Sequence, residues 1–184
     1  MATARQSALR RVYTYARQLS EGAVTPIIYP ALSDNYGFVV SSPNANATAA
    51  VDTPDADALF RVLDEHNLEL THVFTTHHHP DHTQGNEAVK ERFPHAIFYG
   101  PALERDTIPC ISHELTPGDT FKFGNSQVAV LDVSGHTLGH IAYNFVQERI
   151  LFAGDSIFPL GCGRIFEGTP DQSYHGLRRI AHLP

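Results

Sequence analysis

Residues 76–83 read Thr-His-His-His-Pro-Asp-His-Thr, so four imidazoles and one carboxylate fall between His77 and His82. Imidazole is the commonest side-chain ligand for metals, and a carboxylate adds a hard oxygen or a bridge. An ordinary polar loop has no need of so many ligand-capable groups; a bound metal does. His77 and His79 are two apart, so on extended backbone they project to the same side. Asp81 and His82 follow Pro80, which redirects the chain and lets them approach the same place from another direction. The spacing suits two adjacent divalent ions with one pair of ligands for each. Downstream, Gly135-His136-Thr137 and Gly154-Asp155-Ser156 add an imidazole and a carboxylate beside small residues that allow close backbone approach.

The elements that must position these groups are legible in outline. Leu70 to Thr75 is β-branched and apolar and predicts a buried strand running straight into the His cluster. Asp81 and Thr83 are good caps, and 84–92 predicts a helix. A site at the carboxyl end of a strand is the usual arrangement in α/β proteins. Strands over 128–133 and 149–153 end at His136 and Asp155 in the same manner. Elsewhere the pattern predicts strands over 27–29, 36–40 and 48–51, a polar turn over 41–46 and a helix over 55–66 with Ala58, Leu59, Val62 and Leu63 on one face. Further strands are expected over 96–99, 121–123 and 142–145, and a helix over 171–182. Gly124-Asn125 reads as a hairpin turn.

His77-x-His79-x-Asp81-His82, Gly135-His136-Thr137 and Gly154-Asp155, in this order, resemble the metallo-β-lactamase superfamily. The narrower likeness is to glyoxalase II, the hydroxyacylglutathione hydrolases. It rests on Ala31-Leu32-Ser33-Asp34-Asn35-Tyr36, on Gly85-Asn86 and on Gly161-Cys162-Gly163-Arg164-Ile165-Phe166-Glu167-Gly168-Thr169. The resemblance implies an α/β fold, the αβ/βα sandwich of that superfamily. It implies that residues 24–184 form the domain, and that 1–23 are an N-terminal extension. It assigns His77, His79 and His136 to a first ion, Asp81 and His82 to a second, and Asp155 to a bridge between them. Asp81 and Asp155 are thereby the candidate catalytic carboxylates. Arg164 and Phe166 match substrate-contacting positions, with Phe166 standing where some members have Tyr.

The implied reaction is hydrolysis of S-D-lactoylglutathione to D-lactate and glutathione. Zn is the expected metal, with Fe or Mn as alternatives. A bound divalent ion lowers the pKa of water from 15.7 to about 7 and so makes hydroxide available at neutral pH. The family also has a His in a Gly-His-Glu turn and a helical substrate-binding region beyond the last strands, neither matched before Pro184. The fold is therefore expected to be incomplete at the C-terminus, and turnover by these 184 residues weak. Alternatives are a persulfide dioxygenase-like or other hydrolase on the same fold, or an inactive remnant.

The remaining ligand-capable residues have plainer readings. His66, His72, His95, His113, His175 and His182 read as surface or hydrogen-bonded histidines. His78 is squeezed between ligands and should point away. His140 either supports the ligands from behind or simply starts a strand, and Asp52 and Asp132 cap strands or accept hydrogen bonds behind the ligands.

Composition narrows the partners. The first twenty residues hold four Arg and no acid, which leaves −11 on the rest of a chain whose net charge is −7. So acidic a body excludes nucleic acid. No apolar run reaches bilayer length, which excludes a membrane span. The expected partner is a small glutathione thioester, and the expected state a monomer. Two Cys, Cys110 and Cys162, make no disulfide framework and point to a reducing compartment. The cytoplasm is expected. The Arg- and Ser-rich, acid-free start is also the composition of a mitochondrial transit peptide.

Overall fold

The computed structural model describes residues 24–184. The transit-peptide reading falls on residues 1–20, which lie outside the described residues. Two sheets stack face to face. The first has six strands in the order β1 (Thr25–Ala31), β2 (Asn35–Ser42), β3 (Ala47–Val51), β4 (His72–Phe74), β5 (Ile97–Pro101) and β6 (His113–Leu115). Its first three strands pair antiparallel and the rest parallel. The second sheet is antiparallel throughout. It runs β10 (Ile150–Phe152), β9 (Ile141–Phe145), β8 (Ser126–Asp132), β7 (Thr120–Phe123).

The period of two in the strands sorts side chains between two cores. Ala49, Val51 and Phe74 point between the sheets and meet Phe123, Val130, Tyr143 and Phe145. Val39, Ala50, Val73 and Phe98 point outward, where Leu59 and Leu63 of helix α1 (Ala56–Glu65) and Val89 of a later helix cover them. With both faces covered, β3 is apolar along its whole length and carries no alternation to read. Helix α4 (Pro170–Ala181) lies on the outer face of the second sheet: a Cβ at Gly176 would meet Val133 at 3.1 Å. The layers are therefore helix, sheet, sheet, helix, as the resemblance implied.

Local chemistry explains most boundaries. Asp55 caps α1 by accepting the Ala58 N–H at 3.0 Å. Thr169 and Gln172 form a reciprocal capping box at the start of α4. Phe123 and Ser126 pair directly across Gly124-Asn125, so the expected hairpin forms. Two expectations need correction. The helix expected over 84–92 starts two residues later, as α3 (Asn86–Arg92), and a separate short helix, α2 (Pro80–Thr83), precedes it, the two parted at Gln84 and Gly85. The Gly85 N–H bonds Thr53 O at 3.0 Å, and a Cβ there would sit 2.6 Å from that oxygen. β6 gave no signal, being three residues long with two of them exposed. No helix among the described residues is long and apolar enough to cross a membrane.

Candidate metal centre

β4 ends at Phe74, and the next three residues are buried and carry the chain to the rim of the sandwich. The Thr75 N–H still bonds Tyr99 O at 2.9 Å, and Tyr143 Oη donates to Thr75 O at 2.7 Å. His77 and His79 emerge from this anchored stretch. Their partners come from the other sheet: His136 from the turn between β8 and β9, and Asp155 from the one-turn 3-10 helix Gly154–Ser156 after β10. Crowding there leaves no room for side chains on the turns. Gly154 has φ +49°, and a Cβ on it would meet Thr76 Oγ1 at 2.6 Å; a Cβ on Gly163 would lie 2.0 Å from Asp155 O.

Two compact groups of ligand atoms result. His77, His79 and His136 form one; His77, His82 and Asp155 form the other. His79 Nδ1 lies 3.2 Å from His77 Nε2 and 2.9 Å from His136 Nε2. Nitrogens around a tetrahedral zinc are about 3.3 Å apart, given Zn–N bonds of about 2.0–2.1 Å. Asp155 stands between the groups, with Oδ1 3.2 Å from His82 Nε2 and Oδ2 3.4 Å from His136 Nε2. Asp81 lies outside both. Its half-buried carboxylate is held by Asn35 Nδ2 at 3.0 Å, with Oδ2 3.7 Å from His82 Nε2. A further group of His78, His79 and Glu167 borrows His79 from the first and includes an exposed carboxylate.

Hydrogen bonds behind the cluster select the tautomers. His136 Nδ1 donates to Arg164 O at 2.6 Å, which leaves the Nε2 lone pair facing inward. Asp52 does the same for two imidazoles. Its Oδ2 accepts from His82 Nδ1 at 2.8 Å and from Thr76 Oγ1 at 2.9 Å, and Thr76 Oγ1 in turn accepts from His77 Nδ1 at 3.0 Å. Its other oxygen takes the Thr76 N–H at 2.7 Å. Asp52 pays for this with a left-handed backbone, φ +57°. His140 Nε2 accepts the Asp155 N–H at 3.1 Å, and its ring stacks on His77 with centroids 4.5 Å apart. Both residues thus act from behind the ligands.

The electrostatics agree. Burial first, then neighbouring imidazoles, pushes His77 well below the ordinary histidine value. His79 moves the same way for the same reasons, and complete burial takes His140 down to about 3. Neutral imidazoles are what metal ligation requires. His82 is the exception. Burial works against its charged form, but the charges of Asp52 and Asp155 outweigh that and hold it up to about 10. Its Nε2 is buried and out of line for any hydrogen bond, although Asp155 Oδ1 is near. Inward-facing lone pairs, an orphaned buried nitrogen and a carboxylate between them all fit a divalent cation.

In protein stripped by chelator, His82 should therefore keep its proton up to about pH 10. A cation taking Nε2 must displace it, so affinity there should fall about tenfold per unit as pH drops below that value. Calorimetric zinc titration at neutral pH, in two buffers of different ionisation enthalpy, should show about one proton released at this position. Heats identical in the two buffers would contradict the assignment.

Arg164 and Phe166 sit at the mouth of the cluster, both exposed. The Phe166 ring meets His136 and His79 with centroids 5.3 and 5.6 Å away, and the Arg164 guanidinium lies 5.4 Å from the Phe166 centroid. Glu104, Asn35 and Asp52 carry much of the network. Asp52 had a sequence signal as an acid ending a strand, and Asn35 lay in the Ala31–Tyr36 stretch with no role of its own assigned. Nothing in the pattern marks Glu104, whose buried carboxylate accepts the His78 N–H at 2.7 Å.

Comparison with known proteins places this arrangement. The chain is 43% identical over 156 residues to the hydroxyacylglutathione hydrolase of Maricaulis maris, and 44% identical over 156 residues to that of Hyphomonas neptunium. Each match takes in 85% of this chain and 60% of the relative, so the chain spans about 60% of the length of the curated relatives it matches. The crystal structure of the B3 metallo-beta-lactamase BLEG-1 superposes with a TM-score of 0.79 at 23% identity, covering 87% of each chain. At that identity the likeness speaks for the fold alone. The profile of the metallo-beta-lactamase superfamily matches residues 50–182, which is more than half of the sequence, and the chain belongs to that superfamily.

Proposed function

We propose that the chain hydrolyses a glutathione thioester, S-D-lactoylglutathione, to D-lactate and glutathione. The observation that carries this reading is the Asp155 carboxylate, with one oxygen toward His136 and the other toward His82. That placement supports reading Asp155 as a ligand shared by two ions. The names of the 43–44% identical relatives supply the substrate class.

His77, His79 and His136 would hold the first ion, Asp81 and His82 the second, and Asp155 both. Zinc suits the first set of three imidazole nitrogens, and iron or manganese would be accepted. The ions, when bound, supply a Lewis acid for the thioester carbonyl and a water acidic enough to ionise near neutrality. The protein's own part is preorganisation. Asp52 through Thr76 fixes His77, and the Arg164 carbonyl fixes His136, each with its inward nitrogen free of a proton, so neither ring has to turn or deprotonate before binding; His82 alone gives up a proton to the cation. His140 fixes the backbone of Asp155, and Asn35 holds Asp81 at the edge nearest solvent. The Arg164 guanidinium offers a cation to the carboxylates of glutathione, and Phe166 shields His79 and His136 from water on that side. A thiol leaving group with a pKa of about 8.5 departs as thiolate with little help from a general acid.

The test is metal-dependent turnover. Zinc-loaded chain should hydrolyse S-D-lactoylglutathione faster than chelator-stripped chain. A metal-loaded chain with no turnover at any enzyme concentration would overturn the proposed activity. Failure to retain any transition metal would overturn the site itself.

A further inference from the structure

Glu104 is a buried carboxylate that the chemistry above does not use. It ends the single 3-10 turn Ala102–Glu104 that follows β5. Its Oε2 accepts the backbone N–H of His78 at 2.7 Å, and His78 Nδ1 lies 3.0 Å from the same oxygen, out of line for a hydrogen bond. Its Oε1 accepts from Thr137 Oγ1 at 2.6 Å and from the Gly139 N–H at 2.8 Å. A Cβ on Gly139 would meet Glu104 Cγ at 2.6 Å, so the glycine admits the carboxylate. One oxygen thus grips the loop that carries His77 and His79. The other grips the turn that carries His136. These two loops belong to different sheets.

We propose that Glu104 is a positioning residue for the first ion: it sets the spacing between His136 and the His77–His79 pair across the gap between the sheets. The proposal rests on the reading that His77, His79 and His136 bind a metal. Each of its donors is one residue from a ligand, or three in the case of Gly139. A shift in either loop therefore moves a ligand nitrogen directly. A carboxylate suits the place because all three aligned partners are donors. An amide of the same size must turn its NH₂ toward at least one of them, and that contact becomes donor against donor.

The experiment compares wild type, Glu104→Gln and Thr137→Val. Each is stripped, then titrated with Zn²⁺ against a chromophoric chelator and with Co²⁺ read by its visible spectrum. Glu104→Gln should weaken the first equivalent of Zn²⁺ by about 10–100-fold, the usual cost of losing a group that orients a ligand. The second equivalent should change much less, and the Co²⁺ bands of the first site should shift or weaken. Thr137→Val removes one donor and leaves the carboxylate in place. It should weaken the first equivalent by a few-fold, and it keeps the test decisive if Glu104→Gln does not fold. First-site affinity within threefold of wild type in both variants, with only a lower melting temperature, would make Glu104 a purely structural group and overturn the proposal. Wild-type protein that takes up no Zn²⁺ would instead overturn the metal site on which it rests.

Discussion

Asp155→Ala is expected to cost both ions at once and to lower kcat/KM on S-D-lactoylglutathione by more than about 100-fold, beyond the roughly 10–100-fold cost of losing a group that only orients a ligand. His82→Ala is expected to lose one ion and spare the other. The difference follows from geometry. The Asp155 carboxylate approaches His82 and His136 with separate oxygens, 3.2 and 3.4 Å away. His82 belongs only to the group of His77, His82 and Asp155, and its other nitrogen is committed to Asp52. Elemental analysis after expression in metal-supplemented medium gives occupancy, and a steady-state assay gives the rate. Equal metal loss in the two variants would refute the shared role of Asp155.

The second large effect is on stability. Phe74 is fully buried where the two sheets meet, and its ring lies 5.2–5.6 Å from those of Tyr143, Phe121, Phe123 and Tyr99. Phe74→Ala is expected to cost about 3–5 kcal/mol, because a cavity among aromatic rings cannot collapse easily. At about 2–4 °C per kcal/mol for a chain of this size, the melting point should fall by roughly 6–20 °C. Leu160→Ala, at a fully exposed side chain, serves as the control and should stay within about 0.5 kcal/mol of wild type. Urea melts of both variants settle the comparison. A loss below about 1.5 kcal/mol at Phe74 would mean that the sheets close over the gap. The loss should also reach the metal centre, since Thr75 and Thr76 alone separate Phe74 from His77.

The fold and the ligand cluster were open to reading because their signals are local. A His-rich turn after an apolar strand declares itself, and so do His136 and Asp155, each placed behind a small residue at a strand end. The supporting groups were not legible, because their partners are distant. Glu104 meets His78 from 26 positions away and Gly139 from 35, and Asn35 meets Asp81 from 46. An isolated acid in a turn looks like a solvated one until the chain folds over it. Asp52 was only half legible: its place at the end of β3 suggested an acceptor, but not which imidazole it would hold. The break at Gly85 had its marker in the glycine, outweighed by the helix-forming residues around it. β6 had none, since two of its three side chains face solvent and pairing with β5 alone defines it.

Gly154 and Gly163 give the site an evolutionary footprint larger than its chemistry. Neither offers an atom to a metal or a substrate. Yet any side chain at Gly163 would collide with the Asp155 carbonyl, and any at Gly154 with Thr76 and His140. A substitution at either position must therefore move the backbone that carries Asp155, and so reaches the candidate ligands without touching one. New activities on this scaffold are therefore more accessible from the exposed side chain of Arg164, which holds His136 through its backbone carbonyl alone and can be exchanged without losing that contact.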